Sequence, residues 1–280
     1  MSKFACIYFI ENNIILSKDR SFKGKHPRMT IESTWYEQIE SYNVTIYAPY
    51  QKLTQKNWQY LENQLLLKNV EYAYIQNGGK QNQLFEEIHI ISGQEILPLT
   101  SYYILKYIEK YKLVPKDIFN NKVGIIAGEL EETIDLIGNI MDDITDLTLF
   151  APQPLIYKDI VIALHQKKRL KVRVVKPEKV ILSKMDIVFD LKDRGIYATW
   201  CSPNAIYIDY KNKVVRYMDQ IGGALPRIWY DFDIVWEGRL IKLFELQMIL
   251  AVQGITGRSL RKEFKQLNLS IRDVYTRRIS

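Results

Sequence analysis

From Lys122 to about Tyr210 the sequence switches repeatedly between two hydrophobic periodicities, and this switching constrains the fold more than any other feature of the chain. The stretches "KVGIIA", "LTLFA", "LKVRVV", "DIVFDL" and "AIYIDY" are short, aliphatic and aromatic, and read as strands. Between them lie a helical stretch from about Glu131 to Met141, the helical stretch "PLIYKDIVIALHQKK" and the segment "PEKVILSK". Strands separated by helices of this length imply right-handed crossovers and a parallel sheet. The sequence therefore predicts an α/β protein with a Rossmann-like layer over this stretch.

The rest of the chain organises around that layer. In the first third, "ACIYFIE", "NIILSKD", "NVTIYAP", "EYAYIQN" and "EEIHIIS" read as strands. Among them "TQKNWQYLENQLLLKN" reads as a helix, with Thr54 as N-cap and Trp58, Leu61, Leu65 and Leu66 at helical spacing. A small α/β domain is expected, with the glycine- and amide-rich stretch Gln76 to Gln83 as a loop inside it. Thr100 is placed to cap a helix whose Ile104, Leu105, Ile108 and Tyr111 share a face, and a linker then leads to "KVGIIA". Near the other end, apolar residues surround nearly the whole circumference from Leu240 to Val252, the pattern of a buried helix. The glycines and proline of "GGALPRIWYDFDIVW" read as an exposed turn ahead of it. The tail reads as two short helices, the second with Ser270 and Asp273 spaced as a capping box. These signals divide the chain into residues 1–115, a small α/β domain; 116–236, the Rossmann-like domain; and 237–280, a returning hydrophobic helix and a basic helical tail. A chain of 280 residues that is 47% hydrophobic is ample for two such cores.

Composition excludes several classes. Only Cys6 and Cys201 occur, in unlike contexts, which argues against a disulfide framework and for a reducing, cytoplasmic setting. No run of about 18 apolar residues suggests a membrane span, and no Cys or His spacing suggests a metal site. From Gly254 onward, seven basic residues (Arg258, Arg261, Lys262, Lys265, Arg272, Arg277, Arg278) stand against Glu263 and Asp273, so five charges of the formal net +7 sit in the tail. A polyanion or an acidic protein is the partner such a tail would take, although a solvated helical face is the stronger reading and aromatic interleaving is limited to Phe264 and Tyr275.

The turn after the first Rossmann strand, "AGELEET", decides the cofactor question. A dinucleotide site uses G-x-G-x-x-G so that the chain turns tightly, the pyrophosphate meets backbone N–H groups and the helix packs close to the sheet. Here the three positions read Gly128, Leu130 and Thr133, with Glu129, Glu131 and Glu132 around them. Carboxylates in a first helical turn meet the positive end of the helix dipole without any ligand, and they repel an anion. The acidic residue expected about 20 positions on, for the adenosine ribose, is missing, since the next strand ends "LTLFAPQP". NAD or NADP is expected only if this degenerate loop still binds, with Gly128 and Asp190 as its contacts.

Other reactive-looking residues lie near strand ends. Asp190 and Asp209 close predicted strands and face a cleft or simply start turns. Cys201, in "TWCSPNA", falls near the carboxyl edge of the sheet, where a packing thiol is the favoured reading over a nucleophile because His26, His89 and His165 are all distant in sequence.

The order of a small α/β domain, an "LPLT" helix and a "KVGII" strand, followed by "PEKVILSKMDIVFDL", resembles the two-domain superfamily of shikimate dehydrogenases, methylene-tetrahydrofolate dehydrogenases and glutamyl-tRNA reductases. The resemblance covers about Ile96 to Tyr210 and rests on pattern more than on motifs. It implies a small polar ligand between the domains. Shikimate dehydrogenases carry Asn-Val-Thr-Ile-Pro-x-Lys with a catalytic lysine, and this chain has "NVTIYAPYQK", which puts Lys52 three residues late. The partner aspartate of that family falls near Ser101, and Gln247 or Gln253 stands near the position of its substrate-contacting glutamine, out of register. The resemblance thus implies Lys52 and Ser101 for catalysis and Gln247 for substrate, and Cys201 and Asp209 are substrate candidates by their place near strand ends. The sequence favours a noncatalytic binding or regulatory protein on a dehydrogenase-like scaffold. An NAD(P)-dependent oxidoreductase acting on a small polar metabolite and a nucleic-acid binder acting through the tail are the alternatives.

Overall fold

A computed structural model of the chain describes residues 2–10, 27–36, 38–76, 84–114, 117–168, 170–192, 196–211 and 225–277. The first elements are strands β1 (Lys3–Phe9), β2 (Met29–Tyr36) and β3 (Ile39–Ile46), helix α1 (Gln55–Leu66), strands β4 (Val70–Ile75) and β5 (His89–Ile90), and helix α2 (Ser101–Lys110). An alternating run follows: β6 (Lys122–Ile126), α3 (Leu130–Ile140), β7 (Asp146–Phe150), α4 (Lys158–Lys168), β8 (Lys171–Val175), α5 (Lys179–Leu182), β9 (Ile187–Asp190) and β10 (Ile206–Asp209). The chain ends with β11 (Arg227–Trp236), β12 (Arg239–Ile241), α6 (Leu243–Val252), α7 (Gly257–Glu263) and β13 (Leu269–Arg277). Two compact units result, one of Met1–Gln94 with Lys242–Leu260 and one of Glu95–Ile241 with Arg261–Ser280. The expected strand "NIILSKD", most of the loop between Gln76 and Gln83, and His26 lie outside the described residues.

In the first unit the sheet order is β2-β3-β1-β4-β5, with β2 antiparallel to β3 and the other neighbours parallel. Alternation along the strands sends Ala5, Ile7, Val44, Ile46, Ala73 and Ile75 to one face, where Trp58, Leu61 and Leu65 of α1 cover them. Thr54 caps α1 as its sequence suggests, in a capping box with Asn57. Helix α6 joins this unit and packs against β1 and β4, with Phe244 stacked on Tyr74 at 3.6 Å between centroids. Its residues Phe244 and Leu246 to Ala251 are all buried, as all-round apolar character requires.

The second unit carries the alternating run. Its central strands are buried on both faces, which explains why they read as unbroken apolar runs rather than as alternation. Strands β8, β7, β6, β9, β10 and β11 lie side by side in that order, each parallel to its neighbours. Counting from β6 this is the order 3-2-1-4-5-6 of a doubly wound dinucleotide-binding sheet. The second unit is a Rossmann-like domain. Its sixth strand, β11, is formed by the aromatic residues "RIWYDFDIVW", where the flanking glycines and proline predict an exposed turn.

Three local expectations are corrected. The second tail helix is strand β13, antiparallel to β11, and a register shift between Asp233 and Ile234 leaves Arg272 as an extra residue opposite them. That bulge interrupts the period-two pattern and spaces Ser270 and Asp273 like a capping box. Thr100 does not cap α2 with its side chain, because it is itself helical (φ −68, ψ −14) at the end of a 3-10 turn, and its hydroxyl donates back to the Leu97 carbonyl at 2.6 Å. Tyr111 lies past the end of α2 and is 48% exposed, unlike Ile104, Leu105 and Ile108.

Candidate functional site

The strand order of the Rossmann-like unit reverses beside β6, with β7 on one side and β9 on the other. Doubly wound sheets take ligands outside the carboxyl ends of the strands at such a switch point. Three chain segments emerge there: the turn 127–129 after β6, Leu191 after β9, and Tyr210–Lys211 after β10. Gly128 is required by the first two. A Cβ at this position would stand 2.6 Å from the Leu191 carbonyl oxygen and 2.8 Å from the Leu191 Cβ, distances no side chain tolerates. The glycine thus has a structural cause in the neighbouring backbone.

The positions that follow are occupied by side chains. Leu130, at the second glycine position of the fingerprint, is 43% exposed. Thr133, at the third, is fully buried and turns its hydroxyl back to the Glu129 carbonyl at 2.9 Å, so the helix packs on the sheet with a small polar residue in place of glycine. Glu132 Oε1 accepts a hydrogen bond from Lys211 Nζ at 2.7 Å, and its Oε2 is buried without a partner among the described residues, 3.0 Å from where a Gly128 Cβ would sit. A carboxylate therefore fills the space beside the turn. Beyond β7 stand the buried Ala151 and then Pro152, with neither an acid nor an arginine for a ribose or its phosphate.

On the opposite side of the switch point, Asp190 and Asp209 are register partners at the ends of β9 and β10, and both are buried. The Tyr207 hydroxyl donates to Asp190 Oδ2, and the Lys192 N–H donates to Oδ1 at 2.7 Å. Asp209 Oδ1 accepts the Lys211 N–H at 3.2 Å. Burial pushes the Asp190 carboxyl up to about 7, against the pull of its two donors. The same burial, with Asp190 nearby, raises the Tyr207 phenol well above its usual range. Cys201 belongs to the same buried cluster; its thiol donates to the Tyr197 carbonyl, and burial pushes it up to about 12, so it is a thiol rather than a thiolate at neutral pH.

Three of the residues singled out in the sequence, Gly128, Asp190 and Asp209, therefore lie at the carboxyl ends of β6, β9 and β10, whereas Cys201 precedes β10 and packs in the core with Leu182, Met185 and Ala205. Ser101 is in the same unit as the first residue of α2, fully buried, its hydroxyl without a hydrogen-bond partner among the described residues. Lys52 and Gln247 belong to the first unit: Lys52 is exposed at the end of a 3-10 turn, and Gln247 Oε1 accepts the Gly93 N–H at 2.9 Å. Tyr207 and Lys211 join the site without having been singled out in the sequence. Tyr207 carries a signal, since it precedes Asp209 by two in a strand and so shares its face; Lys211 carries none, because its partner is 79 residues away.

Three cations of the basic tail are paired within the second unit. Arg261 bonds Asp135 at 2.7 Å, Lys265 lies 3.6 Å from Asp142, and Arg272 meets Asp233 at 3.0 Å. Among the described residues no group of His, Cys, Asp or Glu could hold a metal ion, and no helix is long and apolar enough to cross a membrane.

No protein-family model matches the sequence, and no curated protein matches it. Among solved structures, the chain is similar to L-tryptophan dehydrogenase from Nostoc punctiforme, with a TM-score of 0.42 and 11% identity over 95% of this chain and 78% of that one. It is also similar to Thermococcus litoralis Delta(1)-pyrroline-2-carboxylate reductase in complex with NADH and L-proline, with a TM-score of 0.29 and 12% identity over 41% of this chain and 36% of that one. A third likeness is to a dipicolinate synthase chain from Bacillus halodurans, with a TM-score of 0.36 and 9% identity over 60% of this chain and 59% of that one. The Rossmann-like assignment stands on the strand order of the second unit alone.

Proposed function

We infer that this chain is a noncatalytic binding or regulatory protein built on a Rossmann-like domain whose dinucleotide turn no longer seats a pyrophosphate. The observation that carries this reading is the Glu132 carboxylate packed beside Gly128, at the turn where a dinucleotide's negative charge would approach. Two anions do not share that space. Leu130 adds bulk where bare backbone is needed, and the exposed Glu129 and Glu131 oppose an approaching phosphate from solvent. The protonated, buried Cys201 and the internally bonded Asp190 and Tyr207 are likewise engaged with the protein itself.

Calorimetric titration of the unmodified protein with NAD, NADH, NADP and NADPH tests the reading. Affinities weaker than about 1 mM are expected for all four. Micromolar binding by any of them would overturn it and put forward the NAD(P)-dependent oxidoreductase acting on a small polar metabolite. The nucleic-acid alternative loses support from the ion pairs of Arg261, Lys265 and Arg272, which already neutralise much of the tail's charge.

A further inference from the structure

The geometry points to an internal ligand: Glu132 stands in for the anion of the Rossmann turn and Lys211 is the cation that holds it, so the pair acts as an autoinhibitory contact. This rests on the reading above and adds what keeps the site shut and what chemistry would open it.

Three observations converge on the pair. First, Lys211 follows β10 and Glu132 lies in the first turn of α3, so their 2.7 Å bond joins segments that follow β10 and β6, on either side of β9, across a sequence separation of 79. Each side chain is only about a quarter exposed, 25% for Lys211 and 24% for Glu132, which places the bond at the rim rather than on open surface. Secondly, only one oxygen of Glu132 is used. Oε2 is buried beside Gly128 with no hydrogen-bond partner among the described residues, an arrangement that costs free energy and is held by the packing of the turn against Leu191. Thirdly, the charge sign suits the place: a carboxylate in the first turn of a helix takes the same favourable position relative to the helix dipole as a bound phosphate does. Lys211 is thereby supplied with a counter-charge that an incoming phosphate would otherwise provide.

Removing the carboxylate should convert the crevice into a weak anion site, with Lys211 as its cation and a phosphate or pyrophosphate group as the class of ligand. Inorganic pyrophosphate is the probe, titrated calorimetrically into the full chain as wild type, Glu132→Ala, Glu132→Gln and Glu132→Ala with Lys211→Ala, with circular dichroism to confirm folding. Glu132→Gln keeps the shape of the side chain and covers the case in which the alanine variant fails to fold. Either single variant is expected to bind at least about tenfold more tightly than wild type, the order of effect of one like charge removed from about 4 Å in a partly wet site. Adding Lys211→Ala should abolish the gain. Equal affinity of folded Glu132→Gln and wild type, or a gain that survives loss of Lys211, overturns the internal-ligand proposal. Neither result touches the noncatalytic reading, which falls only on tight NAD(P) binding by the unmodified chain.

Discussion

Replacing Asp190 with asparagine should make the protein more stable at neutral and alkaline pH. Asp190 is wholly buried, and its carboxyl is raised from an ordinary value of 3.8 to about 7, chiefly by burial. The folded state therefore holds a proton on this group that the unfolded state releases. Between the two pKa values the unfolded chain binds fewer protons, so stability falls as pH rises, and the contribution present below about pH 4 is lost by about pH 7. A shift of roughly three units corresponds to about 4 kcal/mol. Asparagine keeps one acceptor, for the Lys192 N–H, and turns its amide N–H toward the Tyr207 oxygen, which then accepts, at a cost of about 1 kcal/mol for the weaker, neutral bonds. The variant should thus gain about 3 kcal/mol at pH 8 and nothing, or a small loss, near pH 4.5. Urea unfolding followed by circular dichroism at several pH values measures this directly. The difference between the two proteins isolates Asp190 from the other titrating groups. Parallel stability curves between about pH 4 and pH 7 would refute the reasoning and show that Asp190 is as solvated folded as unfolded.

Gly128→Ala should lower stability by about 1 to 3 kcal/mol in a thermal or urea titration, because the new Cβ meets the Leu191 backbone and not a yielding side chain; an unchanged midpoint would show that the turn relaxes freely. The full chain should leave a heparin column below about 200 mM salt, since Arg261, Lys265 and Arg272 of the tail are paired with aspartates. Retention to higher salt that is lost in Arg261→Ala with Lys262→Ala and Lys265→Ala would reinstate a polyanion partner. Arg261→Ala alone should cost no more than about 1 kcal/mol, as expected where the arginine is nearly half exposed, and a larger loss would mean that burial of Asp135 dominates.

The parts of this fold that are legible in the sequence are those set by local pattern. The strands β6, β7, β9 and β10 declare themselves because each is buried on both faces, and α1 because Thr54 and the Trp58, Leu61 and Leu65 stripe are contiguous signals. β13 does not, because its partner β11 lies some forty residues earlier and the bulge at Arg272 breaks the alternation that would have marked a strand. The candidate site divides in the same way. Gly128 and the glutamates around it can be read from the chain, and so can the missing acid after β7. What cannot be read is why Gly128 is glycine, since the reason is the backbone of Leu191, brought alongside by the β6–β9 pairing. Nor can the meaning of Glu132 be read. In sequence it is one of three carboxylates at a helix start, with nothing to distinguish it from Glu129 and Glu131. Its difference arises only when β10 delivers Lys211 to the same rim. A motif match weighs each position against its sequence neighbours, whereas a binding turn works through residues that the sheet order makes neighbours. Whether a turn that departs from the fingerprint still seats a ligand is therefore decided by the groups on the adjacent strand ends.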